Sequence, residues 1–207
     1  MFTGIVEERG HLFWRIAVAN VGEDGSETVE SHHIVIECPT VAADAQIGDS
    51  IAVDGVCLTV TGGENGALGF DLSDETIERT TFGRDRSRGT VNLERPVTLM
   101  TRLGGHLVQG HVDGVGTVDT VKPEGDGARM TIRVPDGLDR YLVEKGSVAV
   151  DGVSLTVASL GEGTFDVSLI PHTLAVTTLG ERRAGDDVNL EVDMLAKYVE
   201  RLMRRTG

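Results

Sequence analysis

The sequence predicts an all-β protein: two similar small closed barrels in tandem, followed by one amphipathic α-helix. Three observations lead there. The chain is written twice, with blocks of its first half returning in its second. Within each copy the apolar residues recur at every second position, the period of a half-buried strand. Finally, 27 of the 207 residues are glycine and only 4% are aromatic. That balance suits many short strands joined by tight turns, because glycine supplies the positive φ angles such turns need.

The elements follow in chain order. FTGIVEERG at 2–10 meets VQGHVDGVG at 108–116, an offset of 106. SIAVDGVCLTV at 50–60 returns as SVAVDGVSLTV at 147–157, an offset of 97 that also matches Thr76 with Thr173, RTTFG (79–83) with VTTLG (176–180), and VNLE (91–94) with VNLE (188–191). The first copy therefore carries nine extra residues, placed by their polarity in a loop around NVGEDGSETVES at 20–31. Ile34, Ile36 and Cys38 alternate with His33, Val35 and Glu37. Met130, Ile132 and Val134 alternate with Thr131 and Arg133, Phe165, Val167 and Leu169 with Asp166 and Ser168, and Val188, Leu190 and Val192 with Asn189 and Glu191. Short strands at this spacing with turn signals between them suggest a barrel in each half. Brief helical pieces are expected at DGLDRYLVEKG (136–146) and after Pro171. Copies of this length are domains rather than solenoid repeats, with boundaries at 1–101 and 102–193.

The segment 194–207 breaks the pattern. Leu195, Tyr198, Val199, Leu202 and Met203 fall at i, i+3, i+4, i+7 and i+8, Asp193 can cap the start, and Arg204 and Arg205 suit the negative end of the helix dipole. The first copy has no counterpart, since Pro96 intervenes. Two uses are open to this stripe: packing on its own barrel, or assembly.

A formal charge of −14 repels phosphate backbones and anionic lipid, so neither nucleic acid nor a membrane is an expected partner. A small neutral ligand remains open. Cys38 and Cys57 sit in apolar runs as free thiols of a reducing compartment. With no apolar leader and no run long enough to span a bilayer, a cytoplasmic location is expected. No Walker loop, GxGxxG after a strand, HExxH or GxSxG occurs. His32 and His33 would face opposite sides of a strand, and His106 and His111 are five apart, so no metal site is expected.

The repeated DGV(C/S)LTV is the most informative chemistry. Cys57 and Ser154 are equivalent, each followed two residues on by a threonine, Thr59 or Thr156. In an extended strand each pair shares a face, so each barrel presents a thiol or hydroxyl beside a threonine. A buried structural cysteine is the common alternative for Cys57 alone; its duplication beside a glycine turn favours a ligand-facing strand. At the midpoint, RLGGHLVQGHVDG (102–114) packs four glycines with His106 and His111, a pairing that a linker has no reason to hold.

MFTGIVEERG, DGVCLTV, RLGGHLVQGHVDGVG, and DGVSLTV with LIPHTLAVTTLG after it closely resemble the riboflavin synthase family, of the duplicated lumazine-binding-repeat type, over essentially the whole chain. The resemblance implies two six-stranded Greek-key barrels, a carboxy-terminal oligomerisation helix, and a homotrimer whose active sites lie between the first barrel of one subunit and the second of a neighbour. It implies dismutation of two 6,7-dimethyl-8-ribityllumazine molecules to riboflavin and 5-amino-6-(ribitylamino)uracil without a cofactor or metal, and association with lumazine synthase.

Carried over, the first pocket takes Gly4, Ile5 and Val6 with Cys57, Leu58 and Thr59, walled by Asp71, Leu72, Ser73, Asp74, Glu75 and Thr76. The second takes Gly105, His106 and Leu107 with Ser154, Leu155 and Thr156, closed by Ser168, Leu169, Ile170, Pro171, His172 and Thr173. Lys145 and Asp151 match positions tied to binding and turnover, and Ser50 one tied to proton handling. With Cys57, His106, Ser154 and Thr156, Asp151 and Ser50 make the implied catalytic set. Two departures stand out: the proline often found before Glu75-Thr76 is missing, and His172 replaces a common glutamate. The rival function is a non-catalytic lumazine- or flavin-carrying fluorescent protein, which needs one working pocket; polar residues in both halves favour the enzyme. A flavin reductase on a similar barrel would need a nicotinamide domain that the sequence does not contain.

Overall fold

The computed structural model describes residues 1–21, 27–84 and 89–204, with side chains described over 1–13, 32–84 and 89–204. Two closed six-stranded barrels account for most of it. The first is built from β1 (Glu8–Val21), β2 (Glu27–Glu37), β3 (Ser50–Val53), β4 (Val56–Glu64), β5 (Ala67–Leu72) and β6 (Gly89–Glu94). The second uses β7 (Gly114–Glu124), β8 (Gly127–Arg133), β9 (Ser147–Val150), β10 (Val153–Gly161), β11 (Thr164–Leu169) and β12 (Asp187–Val192). Around each wall the order is the same, β1-β2-β5-β4-β3-β6 and β7-β8-β11-β10-β9-β12, and all described pairings are antiparallel. The second strand of each barrel pairs with the fifth rather than the third, a Greek-key crossing.

Each barrel closes on its own core. Inward side chains of alternating strands supply it: Ile34, Ile36, Leu58, Phe70 and Leu93 in the first, Met130, Ile132, Val157, Phe165 and Leu190 in the second. Phe70 and Phe165 are 0% and 1% exposed. Short helices lie against the cores through Val41, Ile77 and Leu174: α1 (Pro39–Ala42), α2 (Asp74–Arg79) and α3 (Pro171–Val176), ahead of the terminal α4 (Met194–Met203).

Two expectations are corrected and one is narrowed. Most of the extra segment at 20–31 is not loop: Asn20 and Val21 pair with Thr28 and Glu27, so the insertion lengthens the β1–β2 ribbon, and residues 22–26 lie outside the described residues. Strand-forming Val21, Thr28 and Val29 override the polarity of their neighbours. The stretch 136–146 forms only a 3-10 turn at Asp139–Tyr141. In β6 and β12 the alternation does not separate inside from outside. Asn92, Glu94, Asn189 and Glu191 are all buried, because the outer faces of these strands pack between the barrels. There Phe2, Ala52, Val108 and Ala149 form a small third core.

The helix at the end holds by its polar side. Asp193 accepts the Leu195 N–H at 2.9 Å as N-cap. Lys197 meets Asp113 at 2.6 Å, and Glu200 accepts the Tyr141 hydroxyl at 2.6 Å. Its apolar stripe faces outward, with Leu195 61%, Tyr198 61%, Leu202 64% and Met203 70% exposed.

Candidate functional site

The site residues begin on two equivalent hairpins. Asp54-Gly55 and Asp151-Gly152 connect β3 to β4 and β9 to β10, with φ of 44° and 77° in one and 45° and 78° in the other. Positive φ at both central residues is the type I′ geometry that an Asp-Gly pair favours. Beyond each turn the strand alternates. Leu58 points into the first core, leaving Cys57 partly covered and Thr59 exposed on the outer face. Leu155 packs on the second core, with Ser154 and Thr156 outside. Ser50 lies opposite Thr59 and shares its face. Leu72 and Leu169 are core residues, so Leu58, Leu72 and Leu169 can offer a ligand only backbone.

The chain's two arms cross between the barrels, which overturns one expected grouping. Gly4 lies against Ser154 of the second barrel, not against Cys57: its carbonyl accepts the Ser154 N–H at 2.8 Å. Gly110 takes the place expected for Gly4, accepting the Cys57 N–H at 2.8 Å. Val6 packs on the second core and Val112 on the first. The arms also pair with each other, through Phe2 and Val108 at 2.7 and 3.1 Å and through His106 N–H to Thr3 O at 3.1 Å. Buried carboxylates fix the crossing. Glu94 accepts from Thr3 N (2.7 Å), Thr3 Oγ1 (2.8 Å) and Gly4 N (2.9 Å). Glu191 accepts from the N–H groups of Gln109, Gly110 and His111 at 2.7, 2.9 and 3.1 Å. Burial pushes both carboxyls up from the ordinary range, against the pull of these donors.

One contact has no twin. His106 Nδ1 stands 2.7 Å from Ser154 Oγ. The ring is only 8% exposed, and its Nε2 has no partner among the described residues. Burial lowers its pKa, opposed by the charge of Asp193. A neutral imidazole can accept the Ser154 hydroxyl proton at Nδ1, which makes the pair a candidate for proton transfer. Among the described residues no histidine is hydrogen-bonded to Cys57 in the same way.

The far walls differ in the same way. In the first barrel the exposed Asp71 meets His33 at 2.8 Å, and Ser73 caps α2 by accepting the Thr76 N–H at 3.2 Å. Asp74 and Glu75 are exposed in its first turn, and Glu75 pairs with Arg79 at 3.0 Å. In the second barrel Ser168 donates to Glu124 at 2.9 Å, and Ile170, Pro171 and His172 are exposed at the start of α3, with Thr173 half-buried. Ile5, Gly105 and Leu107 are exposed along the crossing arms, Gly105 against Ser154.

Two expected residues stand elsewhere. Asp151 is 0% exposed, with Oδ1 accepting from Asn189 N at 2.8 Å and Oδ2 held by Arg182. It therefore locks the turn and cannot touch a ligand. Lys145 reaches the Ala158 carbonyl at 3.1 Å from an exposed position. Cavities of about 670 and 690 Å3 open elsewhere, beside residues 94–104 and between α4 and the second barrel; neither is lined by Cys57 or Ser154. The polar strand faces are open surface, as half-sites would be. Sequence reading missed Glu94, Glu191, Asn92, Asn189 and Arg182, although the repeated VNLE, with an amide and an acid inside a strand, carried the signal for four of them.

The Lumazine binding domain family matches residues 3–96 and 109–193. Riboflavin synthase of Mycobacterium tuberculosis is 49% identical over 211 residues, covering 100% of both chains. The chain belongs to the riboflavin synthase family. Riboflavin synthase of Bacillus subtilis is 38% identical, covering 100% of this chain and 92% of its own. Among solved structures, LumP complexed with 6,7-dimethyl-8-(1'-D-ribityl) lumazine superposes with a TM-score of 0.77 at 26% identity, covering 93% of this chain and 99% of the other. LumP complexed with riboflavin gives 0.77 at 27% identity, covering 93% and 100%. No helix among the described residues is long and apolar enough to cross a membrane.

Proposed function

We propose that the protein is a riboflavin synthase that converts two molecules of 6,7-dimethyl-8-ribityllumazine to riboflavin and 5-amino-6-(ribitylamino)uracil. Full-length similarity to riboflavin synthases carries this reading. The structure supports it with two related polar faces, one at Cys57 and Thr59 and one at Ser154 and Thr156. Two like substrates need two like half-sites, and holding them in attack geometry supplies much of the rate. The C7 methyl of a ribityllumazine is acidic because its anion delocalises into the ring, so mild base catalysis suffices. The His106–Ser154 pair is suited to that proton. A four-carbon unit then moves whole from donor to acceptor, and no net oxidation occurs.

Each open half-site must be covered by another. The reading therefore places the Cys57 face of one subunit against the Ser154 face of a neighbour in a homotrimer, for which the outward stripe of α4 is available. Gly4, Ile5 and Val6 then serve the Ser154 half-site. A cytoplasmic location and association with lumazine synthase are the parts of the proposal that rest on the family alone. Mixing the purified protein with 6,7-dimethyl-8-ribityllumazine tests the reading: riboflavin absorbance should grow with time. Tight binding without riboflavin would make it a carrier of the LumP kind.

A further inference from the structure

The repeated VNLE places an amide and an acid two residues apart on the outer face of β6, and again on that of β12. All four side chains, Asn92, Glu94, Asn189 and Glu191, are buried. The asparagines reach the turn of the opposite barrel. Asn92 Nδ2 donates to Asp151 O at 2.9 Å, in the turn that leads to Ser154. Asn189 Nδ2 donates to Asp54 O at 2.9 Å, in the turn that leads to Cys57. The glutamates hold the arms that lie against the same two residues.

Glu94 Oε2 accepts the N–H of the Thr3–Gly4 peptide at 2.9 Å, while Oε1 accepts from Thr3 N and Thr3 Oγ1. A peptide group is planar, so fixing that N–H also fixes the Thr3 carbonyl. This carbonyl accepts the His106 N–H at 3.1 Å, and the next one, of Gly4, accepts from Ser154 N at 2.8 Å. One carboxylate of the first barrel thus stands behind both His106 and Ser154, which meet at 2.7 Å. Glu191 Oε2 takes the N–H of the Gly110–His111 peptide at 3.1 Å, and the carbonyl of that peptide accepts from Cys57 N at 2.8 Å. Both oxygens of each glutamate accept from N–H or O–H donors. A glutamine in either place would turn an amide N–H toward one of those donors.

We propose that Glu94 and Glu191 are positioning residues that act crosswise: Glu94 of the first barrel sets the His106–Ser154 pair, and Glu191 of the second sets Cys57. Only the turnover readout below rests on the riboflavin synthase reading.

Hydrogen exchange in the assembled full-length protein reads both sites at once, at the amides of Ser154 and Cys57. In Glu94→Gln the Ser154 amide should exchange about tenfold faster than in wild type or more, with the Cys57 amide within about twofold. Glu191→Gln should give the reverse. The His106 ring adds a signature that a general loss of stability would not move. Burial lowers its pKa, so its titration midpoint by NMR should rise in Glu94→Gln as water reaches the ring, and stay in place in Glu191→Gln. Riboflavin formation per folded enzyme should fall about tenfold or more in both, since small misplacements of reacting groups are costly. Thr3→Val removes only the Oγ1 bond to Glu94, a lesion mild enough to test the first site if Glu94→Gln does not fold. It should speed Ser154 exchange several-fold and leave Cys57 as in wild type. Equal acceleration of both amides in every variant overturns the proposal, for then the carboxylates only hold the fold together. So does wild-type exchange at Ser154 in the Glu94 and Thr3 variants. Crosswise exchange, in a protein whose wild type makes no riboflavin, would sink the proposed function and leave the positioning role standing.

Discussion

Replacing Gly4 by alanine should detach the amino-terminal arm from the second barrel. Gly4 holds φ at +76°, and a Cβ there would stand 2.6 Å from Ser154 Cβ and 2.7 Å from Ser154 N. The left-handed backbone alone costs alanine about 1–2 kcal/mol. Rotating a side chain cannot relieve the overlap, because one of the colliding atoms is backbone. The arm must therefore lift and give up the 2.8 Å bond from Ser154 N to Gly4 O, worth about 1 kcal/mol. Together these come to roughly 2–3 kcal/mol, about a 30- to 150-fold fall in the docked population. Hydrogen exchange at the Ser154 amide should accelerate by a similar factor, and riboflavin formation should fall with it. Gly48→Ala is the control, since Gly48 has φ +96° with nothing within 4 Å of a built Cβ. If the two variants lose the same stability and Ser154 exchange is unchanged, close approach contributes nothing and the crossed-arm argument fails.

Three other outcomes follow from the same geometry. Ending the chain after Asp193 removes α4 and its exposed stripe, whose burial among subunits is worth on the order of several kcal/mol; sedimentation should show dissociation with loss of turnover, and a fully active assembly would refute the role. Because burial lowers the His106 pKa, the unfolded chain binds the proton more tightly, so stability should fall as pH drops through the window below about 6.5. Urea unfolding across that window should show a smaller slope in His106→Gln, and an unchanged slope would remove His106 from the account. Cys57→Ser should slow riboflavin formation more than Ser154→Cys, since among the described residues the thiol has no histidine partner like the one beside Ser154; equal kinetic effects would argue against unlike half-sites.

The repeat and the strand period made the fold legible. Ile34, Ile36, Phe165 and Val167 are where period-two reading puts them, and the DGV turns are hairpins as Asp-Gly implies. The failures share a physical cause: periodicity describes a strand with one wet face, and β6 and β12 have none. Asn92 and Glu191 read as solvent-facing because their partners, Asp151 and Thr178 of the other barrel for Asn92 and the crossing arm at 109–111 for Glu191, lie far away in sequence and leave no local trace. The pairing of Gly4 with Ser154 was hidden for the same reason. A repeat shows which residues are equivalent, but not whether equivalents serve their own barrel or the opposite one. Asp151 was found by resemblance, yet only its burial and the Arg182 fork show that it holds a turn.

The crossed arms also bear on how such a chain could arise. Each arm grips the barrel that is not its own, and its main contacts have mirrors, from Gly4–Ser154 and Gly110–Cys57 to the two asparagines. A single copy of the repeat would make the same contacts with a second identical molecule, as an isologous dimer exchanging its leading segments. Joining two such copies end to end would keep that interface within one chain. It would not keep it fully symmetric here: His106 stands beside Ser154, and through it two identical substrates would meet unlike surroundings.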